Sequence, residues 1–124
     1  MTVALWCILA AMFIPYGFTI AAKSGPGFSN NTPRAYLDSL QTGWRQRAHW
    51  AQCNGFEAFP PFAAAVIVAH ISAAPQQYAD ILALVFIIAR IAYGLCYIAD
   101  QASLRSLAWF MGVLSTVGLF IISA

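Results

Sequence analysis

Four apolar stretches, Val3–Ala22 and residues 48–73, 81–98 and 104–123, take up most of this chain and leave little of it for a water-facing domain. A helix needs about 20 predominantly apolar residues to cross the hydrocarbon core of a bilayer, and each stretch is of that order. The 124 residues are 61% hydrophobic and 8% charged, against about 25% charged in an average soluble domain. So short a chain cannot hide that much apolar side chain in one core, so its solvent is lipid. The expected fold is an all-α membrane protein, a single four-transmembrane-helix bundle over residues 1–124.

The first stretch is expected to stay in the protein as a helix. Met1, Thr2 and Val3 offer no basic n-region, and the apolar run outlasts the usual signal-peptide core of about 7–15 residues. Pro15 predicts a kink there, tolerable where a neighbouring helix satisfies the freed carbonyl. A net charge of +2 is too small to suggest a nucleic-acid partner. Its placement is more informative. Lys23, Arg34, Arg45 and Arg47 follow the first span against Asp38, residues 74–79 carry no charge, and Asp100 and Arg105 sit in the third connection. By the positive-inside tendency the first and third connections face the cytoplasm and both termini face away. Cys7, Cys53 and Cys96 are far apart and make no CxxC, so they read as free buried thiols, and no cluster has metal-ligand spacing.

Between the first two spans, residues 24–33 form a turn-rich loop. Thr32 and Pro33 then predict an N-cap followed by proline at the first helical position. Residues 34–47 are expected to begin a helix at the membrane surface, with Tyr36, Leu37, Leu40 and Trp44 on one face and Trp44 and Trp50 at the interface. Pro60 and Pro61 should end or kink the second span. Alanine-rich patches such as residues 63–65 permit close helix approach. No internal repeat, heptad or low-complexity tract is visible.

Polar residues within the second and third spans fall into stripes. Arg47, Trp50, Asn54, Glu57 and Pro61 are spaced three or four apart, and so are Arg90, Tyr93, Tyr97 and Asp100. An arginine at mid-membrane costs at least about 2.5–3.5 kcal/mol on insertion scales, so Arg90 needs a partner. Glu57 is the expected counter-charge, from the same chain or a neighbouring subunit. Such a pair, with Asn54, could equally lock helices together without any ligand. The two stripes converge with Arg45, Arg47 and Arg105 toward one end of the bundle, a cationic cleft lined by phenols that suits a small, anionic, partly apolar ligand.

Two segments carry a resemblance that spans essentially the whole chain. Residues 47–62, RAHWAQCNGFEAFPPF, and residues 90–106, RIAYGLCYIADQASLRS, resemble the helix-two and helix-three signatures of the MAPEG family, the membrane-associated proteins in eicosanoid and glutathione metabolism. The resemblance implies a homotrimer of four-helix subunits, with glutathione bound between neighbours near the cytoplasmic face and its thiol activated there. By motif, Asn54 and Glu57 match residues that hold glutathione or its surroundings, and Arg47 matches an arginine one turn above. Tyr97 matches a tyrosine that lines the site, Tyr93 stands where some members have histidine, and Arg90 matches a buried arginine. Arg105, with Ser106 beside it, matches an arginine placed near the thiol, where a permanent cation favours the thiolate. Trp50 and Cys53 stand where glutathione-using members tend to be basic.

The resemblance therefore implies an integral protein of a bacterial inner membrane, a glutathione-dependent transferase or peroxidase. Its lipophilic substrate would enter from the surrounding lipid. Arg105 would be the catalytic cation, and Arg47, Asn54, Glu57, Arg90, Tyr93, Tyr97 and Ser106 would hold the co-substrate. A non-catalytic, lipid-binding or regulatory trimer is the alternative. A small transporter is a third, without the internal repeat common in transporter folds.

Overall fold

The computed structural model describes all residues 1–124 and is wholly helical, with five helices in the order α1 (Val3–Ala22), α2 (Pro33–Ser39), α3 (Trp44–Ile71), α4 (Gln76–Ile98) and α5 (Ala102–Ile122). Three of them, α1, α4 and α5, are long and apolar enough to cross a membrane. The fourth expected span, residues 48–73, falls almost wholly within α3. At 28 residues it is the longest helix, but its first half carries the polar stripe and it lacks an apolar window of spanning quality.

The four long helices run up, down, up and down. Arg47 near the start of α3 reaches Ile98 at the end of α4, and Ala4 at the start of α1 reaches Asp80 at the start of α4. The connections after α1 and after α4 therefore share one end, and both termini share the other. α3 and α4 touch each other, and each packs against both α1 and α5. Small side chains let them close up. Of eleven residues in the main core cluster, six are alanine, and the largest contact is Phe62 of α3 stacked on Phe86 of α4, centroids 3.7 Å apart. Large apolar side chains such as Ile20, Ile71, Ile88 and Ile121 point outward, the inverse of a water-soluble bundle.

Three prolines that were expected to disturb helices do not interrupt them. α1 continues through Pro15, whose buried ring fills the space left by Gly55, where an added Cβ would come within 2.7 Å of it. α3 continues through Pro60 and Pro61 to Ile71. Each proline removes an N–H that the carbonyl of residue 56 or 57 would have accepted, yet α3 runs on, packed against α1, α4 and α5.

The surface helix differs from expectation too. Pro33 is at the first turn of α2, but the Thr32 side chain makes no capping bond. α2 stops at Ser39 rather than running on: Leu40 turns extended, and Gly43 at φ +93 begins α3 afresh. Gln46 donates to the Leu40 carbonyl across the break, 2.9 Å. The α3–α4 and α4–α5 turns are both Schellman motifs. Ala74 N–H bonds the Ala69 carbonyl with Ala73 at φ +51, and Gln101 N–H bonds the Cys96 carbonyl with Asp100 at φ +59.

Candidate functional site

α3 and α4 supply two polar faces that meet. Trp50, Cys53, Asn54 and Glu57 from α3, with Tyr93 and Tyr97 from α4, line an open groove of about 350 Å³. Behind it, the Phe18 ring of α1 occupies the space that Gly94 leaves on α4, and Ala51, Tyr93 and Ala108 close the packing. This close approach holds Tyr93 and Tyr97 toward α3.

At the buried end of the groove, Arg90 is 5% exposed. Its Nη2 donates to Asn54 Oδ1 at 2.8 Å, and Asn54 Nδ2 donates to Glu57 Oε2 at 3.2 Å. Within one chain the expected direct Arg90–Glu57 pair is thus corrected: an amide relays between them. The wheel aligned Asn54 with Glu57, but Asn54 lies within reach of the guanidinium and Glu57 one turn on is exposed. No buried side-chain nitrogen or oxygen lacks a partner, so the polar cluster is internally satisfied.

Arginines and tyrosines alternate along α4 and into α5. The Arg90 guanidinium lies over the Tyr93 ring at 4.3 Å, Tyr93 meets Tyr97 edge to face at 5.6 Å, and the Arg105 guanidinium lies over Tyr97 at 4.5 Å. Trp50 approaches the other side of Tyr97, centroids 6.1 Å apart. Such stacking holds a guanidinium in place while leaving its N–H groups free to bind. Arg105 and Ser106 also border a second recess with Tyr93, Trp109 and Phe110. Trp109 joins that recess to an apolar cleft of about 310 Å³ between α3 and α5, where Pro61, Phe86 and Arg90 appear again.

The other two arginines of the expected cationic entry are engaged elsewhere. Arg47 donates through Nε and Nη2 to the Ile98 carbonyl at 3.2 and 3.0 Å, capping the end of α4. Arg45 stacks on Trp44 at 4.4 Å and donates to Ser24 Oγ. Asp100 sits in the α4–α5 turn. Sequence reasoning took the three cysteines for buried thiols, but only Cys7 is. Cys53 is exposed in the groove and Cys96 is half-buried. It also passed over Trp109, which nothing distinguishes within its apolar run.

The chain as a whole, residues 1–124, matches the model of the MAPEG family. No curated protein is a significant match.

Proposed function

The chain belongs to the MAPEG family, whose members include glutathione transferases, and we propose that it is itself a glutathione-dependent transferase or peroxidase acting on lipophilic electrophiles. The observation that carries this reading is the groove with unlike charges near its two ends, the exposed carboxylate of Glu57 and the Tyr97-stacked guanidinium of Arg105. A zwitterionic thiol peptide matches that pattern. Glu57 accepts from its ammonium, and Asn54 and the phenols of Tyr93 and Tyr97 fix its backbone. Arg105 stays charged and stabilises the thiolate, and Ser106 beside it donates to the same sulfur or a peptide carboxylate. The thiolate attacks an electrophile that enters from lipid through the apolar cleft past Trp109. Arg90 keeps Asn54 and Glu57 in register. Arg47 contributes from the end of α4 that it caps.

The groove is open at its side, which fits closure by a neighbouring copy in a homotrimer. The end bearing Arg45, Arg47 and Arg105 would face the cytoplasm of a bacterial inner membrane. The alternative, a non-catalytic lipid-binding trimer, draws on one observation: Arg47 is spent on the Ile98 carbonyl rather than in the groove. The test is thermal shift and thiolate absorbance of the purified protein with millimolar glutathione, followed by conjugation of an aryl halide. Turnover that falls in Arg105→Ala supports the transferase. Absence of both shift and conjugation selects the binding protein.

A further inference from the structure

One group of side chains on α3, of which Cys53 lines the groove, has no part in the chemistry above. His49, Gln52 and Cys53 occupy one turn of α3. His49 Nδ1 lies 3.3 Å from Gln52 Oε1, and His49 Nε2 lies 3.9 Å from Cys53 Sγ. In the tautomer that donates from Nδ1 to the amide oxygen, Nε2 is left as an acceptor beside the thiol. A nucleophile, its base and the group that orients the base are therefore in line, the arrangement that activates cysteine in unrelated folds. Neither of the other two thiols has an imidazole beside it. Cys7 is sealed in the core, and Cys96 lies in a wholly apolar groove with residues such as Ala92, Leu104 and Leu107.

From this geometry we infer that Cys53 is a second reactive centre of the protein, a thiol that exchanges with low-molecular-weight disulfides held in the α3–α4 groove. His49 Nε2 takes the thiol proton and the Cys53 thiolate attacks one sulfur of the disulfide. A Cys53–S–S–R bond forms, the R–S–S–R bond breaks, and the leaving thiolate recovers the proton from His49. A second thiol then attacks the mixed disulfide, restores the Cys53 thiolate and releases a new disulfide, so no outside oxidant or reductant is consumed. The groove around Cys53 offers Glu57, Asn54, Tyr93, Tyr97 and Trp50 to the entering molecule. That the preferred disulfide is that of glutathione rests on the functional reading above. The reactivity of Cys53 does not.

The experiment incubates the purified full-length protein in detergent with glutathione disulfide and, in parallel, with the uncharged hydroxyethyl disulfide, and follows adducts by intact mass and peptide mapping. One reducible adduct per chain is expected, at Cys53, and none in Cys53→Ser. His49→Gln is expected to slow adduct formation by about tenfold or more with either disulfide, since a positioned base typically contributes at least that much. A thermal melt of His49→Gln matching the wild type shows that the slowing is chemical. The inference is overturned if Cys96 reacts as fast as Cys53, if His49→Gln reacts at the wild-type rate, or if neither disulfide forms an adduct. Fast reaction with hydroxyethyl disulfide and none with glutathione disulfide supports the reactive centre and counts against the glutathione reading alone.

Discussion

Arg90 of α4 donates to Asn54 of α3 across 2.8 Å, and the carboxylate of Glu57 reaches that guanidinium only through the same amide. The buried cation is thereby tied to a neutral partner, and the acidic side chain keeps one face toward the groove. An amide suits this position because it accepts from the guanidinium and donates to the carboxylate at once.

Removing the relay should therefore cost more than removing the charge. Asn54→Leu leaves a buried guanidinium N–H without its acceptor, and a hydrogen bond to a charged group is worth about 1.5–3 kcal/mol. Glu57→Gln retains an acceptor for the Asn54 amide and is expected to cost less than about 1 kcal/mol at this exposed position. Denaturant or thermal unfolding in detergent measures both. Equal losses would mean that Glu57 partners Arg90 directly.

The contact between Phe18 and Gly94 sets the distance between α1 and α4 behind the tyrosines. An added Cβ at Gly94 would fall within the Phe18 ring. Gly94→Ala should destabilise by about 1–3 kcal/mol, the usual cost of overpacking. Phe18→Leu in the same chain should recover part of it, since a narrower side chain makes room. A double mutant no better than Gly94→Ala would place the strain elsewhere.

Much of the bundle was legible in the sequence because α1, α4 and α5 are nearly unbroken apolar runs, and lipid leaves helices few alternatives. α3 was harder. Its polar residues are distributed along a helix that Pro60 and Pro61 were expected to end or kink, and no local pattern shows that it continues to Ile71. The break between α2 and α3 was missed because Tyr36, Leu37, Leu40 and Trp44 keep helical spacing across it, while the backbone turns extended at Leu40 and left-handed at Gly43. In the site, the wheel aligned Asn54 with Glu57 correctly but carried no information on how far a guanidinium from another helix reaches. Arg47 lies on the predicted stripe, yet a carbonyl fifty-one residues away takes it, and no local pattern encodes that.

Asp80 shows the same limit. It reads as a charge following the second connection, but its Oδ1 accepts from Ala4 N–H at 2.8 Å and from Gln76 Nε2 at 2.7 Å, capping α1 from another helix. Thr2 Oγ1 serves Leu5 N–H beside it. A carboxylate at a helix N-terminus also meets the positive end of the helix dipole. Asp80→Ala should cost about 1 kcal/mol, as loss of a cap does. It should also raise hydrogen exchange at the first turn of α1 while leaving α5 protected. Unchanged exchange at Ala4 would mean that the cap does not hold in the membrane.

Ala73 is strained where glycine would not be, since it holds φ +51 at the close of the α3 Schellman turn. Ala73→Gly should therefore stabilise the protein by about 0.5–1 kcal/mol, read as a higher unfolding temperature. A decrease would mean that the extra freedom of glycine in the unfolded chain outweighs the relief.

The alanines that let the long helices close up also decide how this protein can move. Alanine has no side-chain rotamers, so six of the eleven residues in the main core cluster can neither hop to another conformer nor swell to fill a gap. Motion at that seam is therefore shear, the sliding of whole helices as rods, rather than rearrangement of side chains. Glu57 and Tyr97 ride on different rods, α3 and α4, both of which supply those alanines, so a slide along that seam changes their spacing in a single step. The width of the groove is thus a property of the whole bundle, and lipid thickness or a neighbouring copy would reset it by tilting helices.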